Sequence, residues 1–301
     1  MTVPFEPQFL TLAPGPRGSL GQRFVIHHPP APGPLRGLVV YVHPFAEEMN
    51  KSRRMAALQA RLLAEQGYAV LQLDLLGCGD SGGDFGDASW ALWVDDVVFA
   101  CDWLRQRYPA GALMTAPPLW LWGLRAGCLL AAAAARHLEP PCHFIFWQPA
   151  ITGKLLLQQF LRLKAASELL AGHAKATMDQ LRSDLAAQRS VEVAGYTLAP
   201  ALCLGLEEAQ LRAPQATTNC HALWFEITTT EARTLSPASM VSATAWRDAG
   251  WLVDARAVSG PAFWQTAEIE DAPELLAATT AALIAASSSN PAAPPLALAQ
   301  T

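Results

Sequence analysis

The 301-residue chain is poor in charge, and this scarcity argues against nucleic-acid binding. Only 16% of its residues are charged, and the formal net charge is -5. Lysine and arginine are scattered, and the densest run, residues 51–54, is too short for the basic surface by which a protein binds nucleic acid. No internal repeat is visible. We therefore expect no nucleic-acid partner.

Long apolar runs are missing as well. The longest, residues 128–135, falls far short of the ~20 residues that a membrane-spanning helix needs, so we expect no membrane span. The first nine residues have neither the basic nor the apolar region of a signal peptide. These observations lead us to expect a cytoplasmic protein.

Six cysteines are present, but their arrangement lacks the signatures of a metal or redox site. None forms a CxxC pair, and none clusters with histidine at ligand spacing. Cysteines in apolar surroundings are typically small buried hydrophobic residues in a reducing compartment. We expect no metal, no cofactor and no disulfide framework.

What the chain does contain is a regular alternation of short apolar runs and helical segments. The runs are typical of strands buried on both faces, and such alternation predicts an α/β fold with a doubly wound, mostly parallel sheet. Strands are predicted at 22–27, 38–42, 69–73, 119–122, 144–147, 220–225 and 251–258. Helices are predicted at 53–66, 90–108, 124–138, 237–249 and 273–286.

The alternation of predicted strands and helices indicates one domain with an insertion and a C-terminal tail. Residues 1–286 have the apolar content and length of a single domain. Within it, about 151–200 is predicted to be a helical insertion that lies as a lid over the C-terminal edge of the sheet. Residues 287–301 are rich in serine, alanine and proline and are predicted to be disordered.

The most informative stretch is Gly123-Leu124-Arg125-Ala126-Gly127. It joins a predicted strand directly to a predicted helix, and small residues flank its centre. This is the setting of the nucleophile elbow, the sharp turn that presents the serine of a Gly-x-Ser-x-Gly motif. Here Arg125 occupies the position of the serine.

Three stretches together resemble a known family. They are residues 43–55 (HPFAEEMNKSRRM), residues 74–81 (DLLGCGDS) and the elbow. The chain resembles the second type of α/β-hydrolase that accompanies exosortase A systems in exopolysaccharide-producing bacteria, over most of residues 5–285. The resemblance implies an α/β-hydrolase fold and hydrolysis of an ester or acyl group on a polysaccharide or lipid-linked intermediate.

The residues themselves do not supply a serine-hydrolase triad. Arg125 is permanently protonated and has no lone pair for attack. Pro261 stands where the histidine is expected after the last strand, and no histidine follows His221. The acid position falls among residues 228–231, where Glu231 is the candidate but has no base to orient. Loss of nucleophile and base costs on the order of 10⁶-fold in a comparable serine hydrolase.

Arg125 is expected at a helix N-terminus, where a negative partner is favoured. Three alternatives are open: an internal ion pair with Glu47 or Glu48, a bound anionic ligand, or an electrostatic role in catalysis. The two glutamates would oppose a developing oxyanion, so they suit a general base or a cation ligand better. The candidate binding residues are Phe45 and Ala46, whose backbone is expected at the oxyanion hole, together with Glu47, Glu48, Leu124, Arg125 and Ala126.

Other polar residues near these motifs are predicted to be structural. His43 is expected to open its loop as a buried structural residue, and Asp74 and Asp80 to hold the following turn. Three possible relocated nucleophiles, Cys128, Ser81 and Ser259, are more typical of packing or local hydrogen bonding at their positions.

Three functions therefore compete at this point. The first is an ester or acyl hydrolase. The second is a non-catalytic accessory protein that binds an anionic small molecule or a glycan or lipid-linked ligand. The third is a structural partner that docks through the amphipathic segment 154–170.

Overall fold

The computed structural model describes residues 4–12, 21–110, 116–139, 141–167, 174–216 and 219–288. Eight strands form one sheet in the order β1-β2-β4-β3-β5-β6-β9-β10. β2 runs antiparallel to both of its neighbours, β1 and β4, and the other neighbouring strands of this sheet are parallel. The predicted doubly wound, mostly parallel sheet is confirmed. The strands are β1 (Glu6–Thr11), β2 (Gln22–His28), β3 (Gly37–Val42), β4 (Tyr68–Leu73), β5 (Leu119–Leu124), β6 (His143–Trp147), β9 (His221–Thr228) and β10 (Leu252–Ser259).

The central strands are apolar along their whole length because helices cover both faces of the sheet. All residues of β3 and of β5 are buried. One face packs against α1 (Glu47–Glu65) and α8 (Pro273–Ser288). The opposite face packs against α2 (Trp90–Arg107), α3 (Ala126–Ala134) and α7 (Pro237–Asp248).

The insertion between β6 and β9 is not purely helical. It contains α4 (Gly153–Ser167), α5 (Ala174–Ala186), a hairpin of β7 (Val191–Val193) and β8 (Tyr196–Leu198), and α6 (Pro200–Glu208). A bridge between Thr152 and Gln210 closes its base. The hairpin turns at Ala194 and Gly195, both at positive φ, as a tight two-residue connection requires. We refer to residues 153–167 and 174–208 as the lid.

Several boundaries differ from the predictions for identifiable reasons. α1 begins at Glu47 rather than at residue 53, because two acidic side chains in its first turn suit the positive end of the helix. α8 continues two residues into the predicted tail, where Ser287 is hydrogen-bonded to Tyr68. The remainder of that tail, 289–301, lies outside the described residues.

All six cysteines are buried and none forms a disulfide, which confirms the prediction that they pack as small hydrophobic residues. None of the helices in the described ranges combines the length and the apolar character that a membrane crossing needs.

One ion pair lies deep beneath the turn that follows β4. The side chains of Arg23 and Asp96 are each 1% exposed, and the Nε–Oδ1 distance is 2.8 Å. The second oxygen of Asp96 accepts a hydrogen bond from the backbone N–H of Leu76. Burial raises the pKa of Asp96 to about 6, although the neighbouring guanidinium acts in the opposite direction. The pair therefore joins β2, α2 and the turn after β4.

Candidate functional site

The elbow has the geometry expected of a strained strand–turn–helix junction. Arg125 lies between β5 and α3 with φ 55° and ψ −115°. Its backbone N–H donates to the carbonyl of Trp147, and its own carbonyl accepts from the N–H of Ala150. Such positive-φ backbone in a non-glycine residue costs of order 1–3 kcal/mol and tends to occur at functional sites.

The two glycines of the motif allow the backbone segments to approach closely. A Cβ at Gly127 would overlap the carbonyl oxygen of Val42 and lie 2.8 Å from that of His43. A Cβ at Gly123 would lie 2.6 Å from the backbone nitrogen of Cys128. Only glycine fits at these positions, so the motif is explained by packing independently of its central residue.

The Arg125 side chain forms an internal ion pair. Its Nε lies 3.3 Å from Oε1 of Glu48, and the two side chains are 20% and 23% exposed. Its guanidinium carbon lies 5.8 Å from the centre of a Trp264 ring, within cation–π range. Of the three alternatives for Arg125, the internal ion pair is the one present among the described residues, and its partner is Glu48.

Glu48 is only partly satisfied by this pair. Burial raises the pKa of its carboxyl group, while the charge and hydrogen bond of Arg125 lower it. Its second oxygen, Oε2, is buried and has no hydrogen-bond partner among the described residues. The pair therefore leaves one buried carboxylate oxygen without a described partner, which a ligand could reach only if neighbouring side chains moved.

Glu47 points to the lid instead. Its Oε2 accepts hydrogen bonds from the hydroxyl of Tyr196 on β8, at 3.1 Å, and from the side chain of Asn50. Phe45 is 3% exposed, and its ring packs edge-on against Phe160 of α4 with the centroids 5.1 Å apart. The loop before α1 thus contacts both a helix and the hairpin of the lid.

Ala46 repeats the backbone conformation of Arg125. It has φ 50° and ψ −128° and joins β3 to α1, as Arg125 joins β5 to α3. β3 and β5 are neighbours in the sheet, so the two turns lie side by side. The N-termini of α1 and α3 therefore lie at the same edge of the sheet, on either side of the Arg125–Glu48 pair.

His43 is structural, as predicted. The backbone N–H of Leu75 donates to its Nε2, so Nδ1 carries the proton and donates to the carbonyl of Pro44. Burial lowers the pKa of His43. This neutral ring joins the loop after β3 to the turn after β4.

The two remaining triad positions carry no acid–base pair. Pro261 lies in the loop after β10, and Glu231 is exposed in the loop after β9. Within the described ranges, no histidine is hydrogen-bonded to a serine or a cysteine. His143 and His221 stand at the starts of β6 and β9, at the opposite edge of the sheet from the elbow.

The candidate relocated nucleophiles have structural partners or positions. Cys128 lies in the core against the carbonyl of Trp147, and burial raises the pKa of its thiol. Ser81 donates to the carbonyl of Asp74 and accepts from the N–H of Phe24. Ser259 is an exposed residue at the end of β10.

The turn after β4 is held by Asp74 and Asp80 as predicted. The Asp74 carboxylate accepts from the backbone N–H of Asp80 and pairs with Arg53 of α1 at 3.0 Å. No cluster of three or more candidate metal ligands occurs in the described part of the chain.

Sequence reasoning missed several residues around the site. Gln148, after β6, has φ 42°, and its side-chain oxygen accepts from the N–H of Ile227. Glu226 is buried and accepts three hydrogen bonds from Ser236 and Ser239 at the start of α7. The only local signal for Glu226 was the Ser236-Pro237 pair, which is typical of a helix start.

The histidines at the far edge of the sheet predict a pH effect on stability. Burial, and then the neighbouring His221, lower the pKa of His143 to about 4. Between about pH 6.5 and pH 4 the unfolded chain binds a proton that the folded chain does not. The unfolding free energy should therefore decrease as the pH is lowered from 6.5 to 4, by on the order of 3 kcal/mol from this residue.

Urea unfolding across that pH range checks this prediction. In the folded protein the backbone N–H of His221 donates to Nδ1 of His143. His143→Asn keeps an acceptor for that N–H but cannot bind a proton, so the unfolding free energy of this variant should depend less on pH. His137→Asn, at an exposed position, serves as the control and should leave the dependence on pH unchanged. An unaltered slope in His143→Asn would show that other groups cause the effect.

The order of the strands and the strand–turn–helix junction at Arg125 together define an α/β-hydrolase. More narrowly, the chain belongs to the Hydrolase_4 family (serine aminopeptidase, S33), whose model matches residues 33–211. A human relative, Protein ABHD12B, is 27% identical over 150 residues, which cover 49% of this chain and 38% of the relative. The match thus spans well under half the length of that protein.

Solved structures give the same fold at low identity. Est1E from Butyrivibrio proteoclasticus, solved with ferulic acid, has a TM-score of 0.62 at 14% identity over 89% of this chain and 96% of its own. A soluble variant of monoglyceride lipase from Saccharomyces cerevisiae has a TM-score of 0.60 at 13% identity over 95% and 96%. These structures support the fold and do not identify a substrate.

Proposed function

We propose that this chain is a cytoplasmic, non-hydrolytic accessory protein of a bacterial exopolysaccharide system associated with exosortase A. It binds a hydroxyl-rich glycan or lipid-linked glycan at the Arg125–Glu48 pair. The observation that carries the proposal is the ion pair itself, which occupies the turn where a serine hydrolase presents its nucleophile. The resemblance at residues 43–55 and 74–81 supports the biological setting.

The chemistry of the site supports binding over acyl transfer. Arg125 offers donors and no acceptor, so it can neither attack a carbonyl nor accept a proton. Pro261 stands at the histidine position, and the candidate acid Glu231 is exposed to solvent. Nothing else at these positions supplies the general base that a serine mechanism needs.

The charge balance favours a hydroxyl-bearing ligand over an anion. The sequence alone favours an anion at Arg125, but Glu48 already supplies that negative charge. A second anion would stand beside the Glu48 carboxylate. If the neighbouring side chains move as a sugar enters, a hydroxyl can instead donate to the buried Oε2 of Glu48 and accept from Arg125, so it satisfies both groups at once.

Restoring the serine is not expected to restore esterase activity. Arg125→Ser recreates Gly-x-Ser-x-Gly, but Pro261 offers no base to deprotonate the new hydroxyl. Turnover of short-chain nitrophenyl esters should remain at background in the wild type and in the variant, and neither should be labelled by a fluorophosphonate. Labelling of Arg125→Ser would reveal a base that the fold provides elsewhere.

Ligand binding is tested with defined probes. Neutral oligosaccharides of glucose are compared with glucuronate oligosaccharides and inorganic phosphate, by thermal shift and calorimetry. Glu48→Gln and Arg125→Met should weaken binding of the neutral sugars by about tenfold or more, as expected when one hydrogen-bond partner of a charged group is lost. Arg54→Met removes an exposed ion pair on α1 and is the matched control.

Stabilisation by phosphate or uronate alone would favour an anion site. If none of the probes binds, the binding role loses its support.

The second candidate is a hydrolase that uses a non-standard route. It is favoured by the elbow backbone at Arg125, which keeps φ 55° and ψ −115°. In that case the wild type would turn over an ester, with Glu48 as the base for a water molecule. Ester turnover that is lost in both Arg125→Ala and Glu48→Gln would establish this candidate and overturn the binding role.

A further inference from the structure

The outer face of α4 carries leucines that nothing in the described structure covers. Leu155 is 61% exposed and Leu163 is 53% exposed. They are eight positions apart in sequence, so they lie on one face of the helix about 12 Å apart. The inner face is buried through Leu156, Leu157, Phe160 and Leu161. α4 is therefore apolar on its outward side as well as toward the protein.

Cations accompany the two exposed leucines. Lys154 precedes Leu155, and Arg162 precedes Leu163. Lys164 adds a third positive charge, and residues 153–167 contain no aspartate or glutamate. The chain as a whole has a net charge of -5, so this helix is a local exception. Lys154 lies 3.8 Å from Glu207 in an exposed pair, which leaves most of its charge available to a partner.

We propose that the outer face of α4 docks on the surface of an anionic phospholipid bilayer. The leucines would insert at the acyl boundary, and the cations would contact lipid phosphates, as in amphipathic helices that lie in the membrane interface. This docking goes beyond the proposed function and does not depend on binding at Arg125. It would bring the lid, and the site beneath it, to a membrane surface.

A second copy of the chain fits the same face poorly. Two leucines give far less than the roughly 1,000 Å² that a specific protein interface buries. Self-association would also bring the cations of two helices together, and like charges repel across an interface. An anionic bilayer instead complements the charge and accepts the leucines.

Sedimentation with vesicles tests the proposal on the full chain. Vesicles of phosphatidylcholine alone are compared with vesicles of phosphatidylcholine and phosphatidylglycerol in equal parts. The wild type should bind the second kind and release at high salt, because surface charges are then screened. Leu155→Glu/Leu163→Glu should lower the partition coefficient by about tenfold per leucine. Lys154→Gln/Arg162→Gln should bind more weakly and with less salt dependence.

Val241→Glu is the matched control, because Val241 is 71% exposed on α7, outside the lid. It should bind as the wild type does, and thermal unfolding confirms that each variant is folded. The proposal is overturned if the wild type does not bind the anionic vesicles or if the leucine variant binds equally well. It is also overturned if ultracentrifugation shows a dimer that only the leucine variant disrupts, which would identify a second copy as the occupant.

Discussion

Gly127→Ala is expected to destabilise the protein by about 3 kcal/mol or more, since overpacking against rigid surroundings has few ways to relax. The added methyl group would overlap the carbonyl oxygen of Val42 at the end of β3. The added methyl carbon is attached directly to the backbone in the first turn of α3, and the atom that it meets is a backbone oxygen of a buried central strand. Relief therefore requires α3 to move away from the sheet, which would also displace Arg125.

Urea unfolding measures the loss, and Gly195→Ala separates its causes. Gly195 in the lid hairpin has φ +82° but open space around its Cβ position. Its substitution carries the cost of backbone conformation without a collision, about 1 kcal/mol. If Gly127→Ala costs no more than this control, the close approach of α3 to β3 is less rigid than the distances indicate.

Asp96→Asn should be comparably damaging for a different reason. The substitution keeps the shape of the side chain but removes the carboxylate charge that pairs with Arg23 at 2.8 Å, where both side chains are 1% exposed. Breaking a buried pair from one side typically costs about 3–5 kcal/mol. The unfolding free energy in urea should fall by that amount, while Asp102→Asn, at an exposed position of the same helix, should change it little.

A double substitution distinguishes pairing from packing. Replacing both charges with apolar residues, as in Arg23→Met/Asp96→Leu, removes both members of the buried pair and should recover much of the lost stability. Leu76 would still lose the acceptor for its N–H, so recovery should be incomplete. A double variant as unstable as Asp96→Asn would mean that the carboxylate acts mainly through the turn after β4.

The sheet was readable from the sequence because its strands are short apolar runs separated by helices. Runs such as 38–42 and 69–73 match β3 and β4 to within one residue. The lid hairpin was missed because its strands are only three residues long and follow a strongly helical stretch. Its turn, Ala194-Gly195 between Val-Glu-Val and Tyr-Thr-Leu, was the available signal.

The site was only partly predictable, because its partners are distant in sequence. Arg125 and its elbow could be located from five consecutive residues. Glu48 could be named only as one of two adjacent glutamates, since the direction of each depends on where α1 begins. The start of that helix at Glu47 directs Glu48 to Arg125 and leaves Glu47 to Tyr196. The contact of Trp264 with Arg125 could not be predicted from the sequence, because the position of the Trp264 loop depends on how α8 packs.

The matching backbone turns at Ala46 and Arg125 have a consequence for protein engineering. Neighbouring parallel strands lie about 4.8 Å apart. The fold therefore has two adjacent turns, at Ala46 and at Arg125, with the backbone conformation that presents a reactive side chain in α/β-hydrolases. The one at Ala46 holds only a methyl group and already tolerates the required backbone conformation. A designer who wished to install a larger reactive side chain there would have the required backbone conformation in place but would have to enlarge the surrounding core, because Ala46 is only 4% exposed.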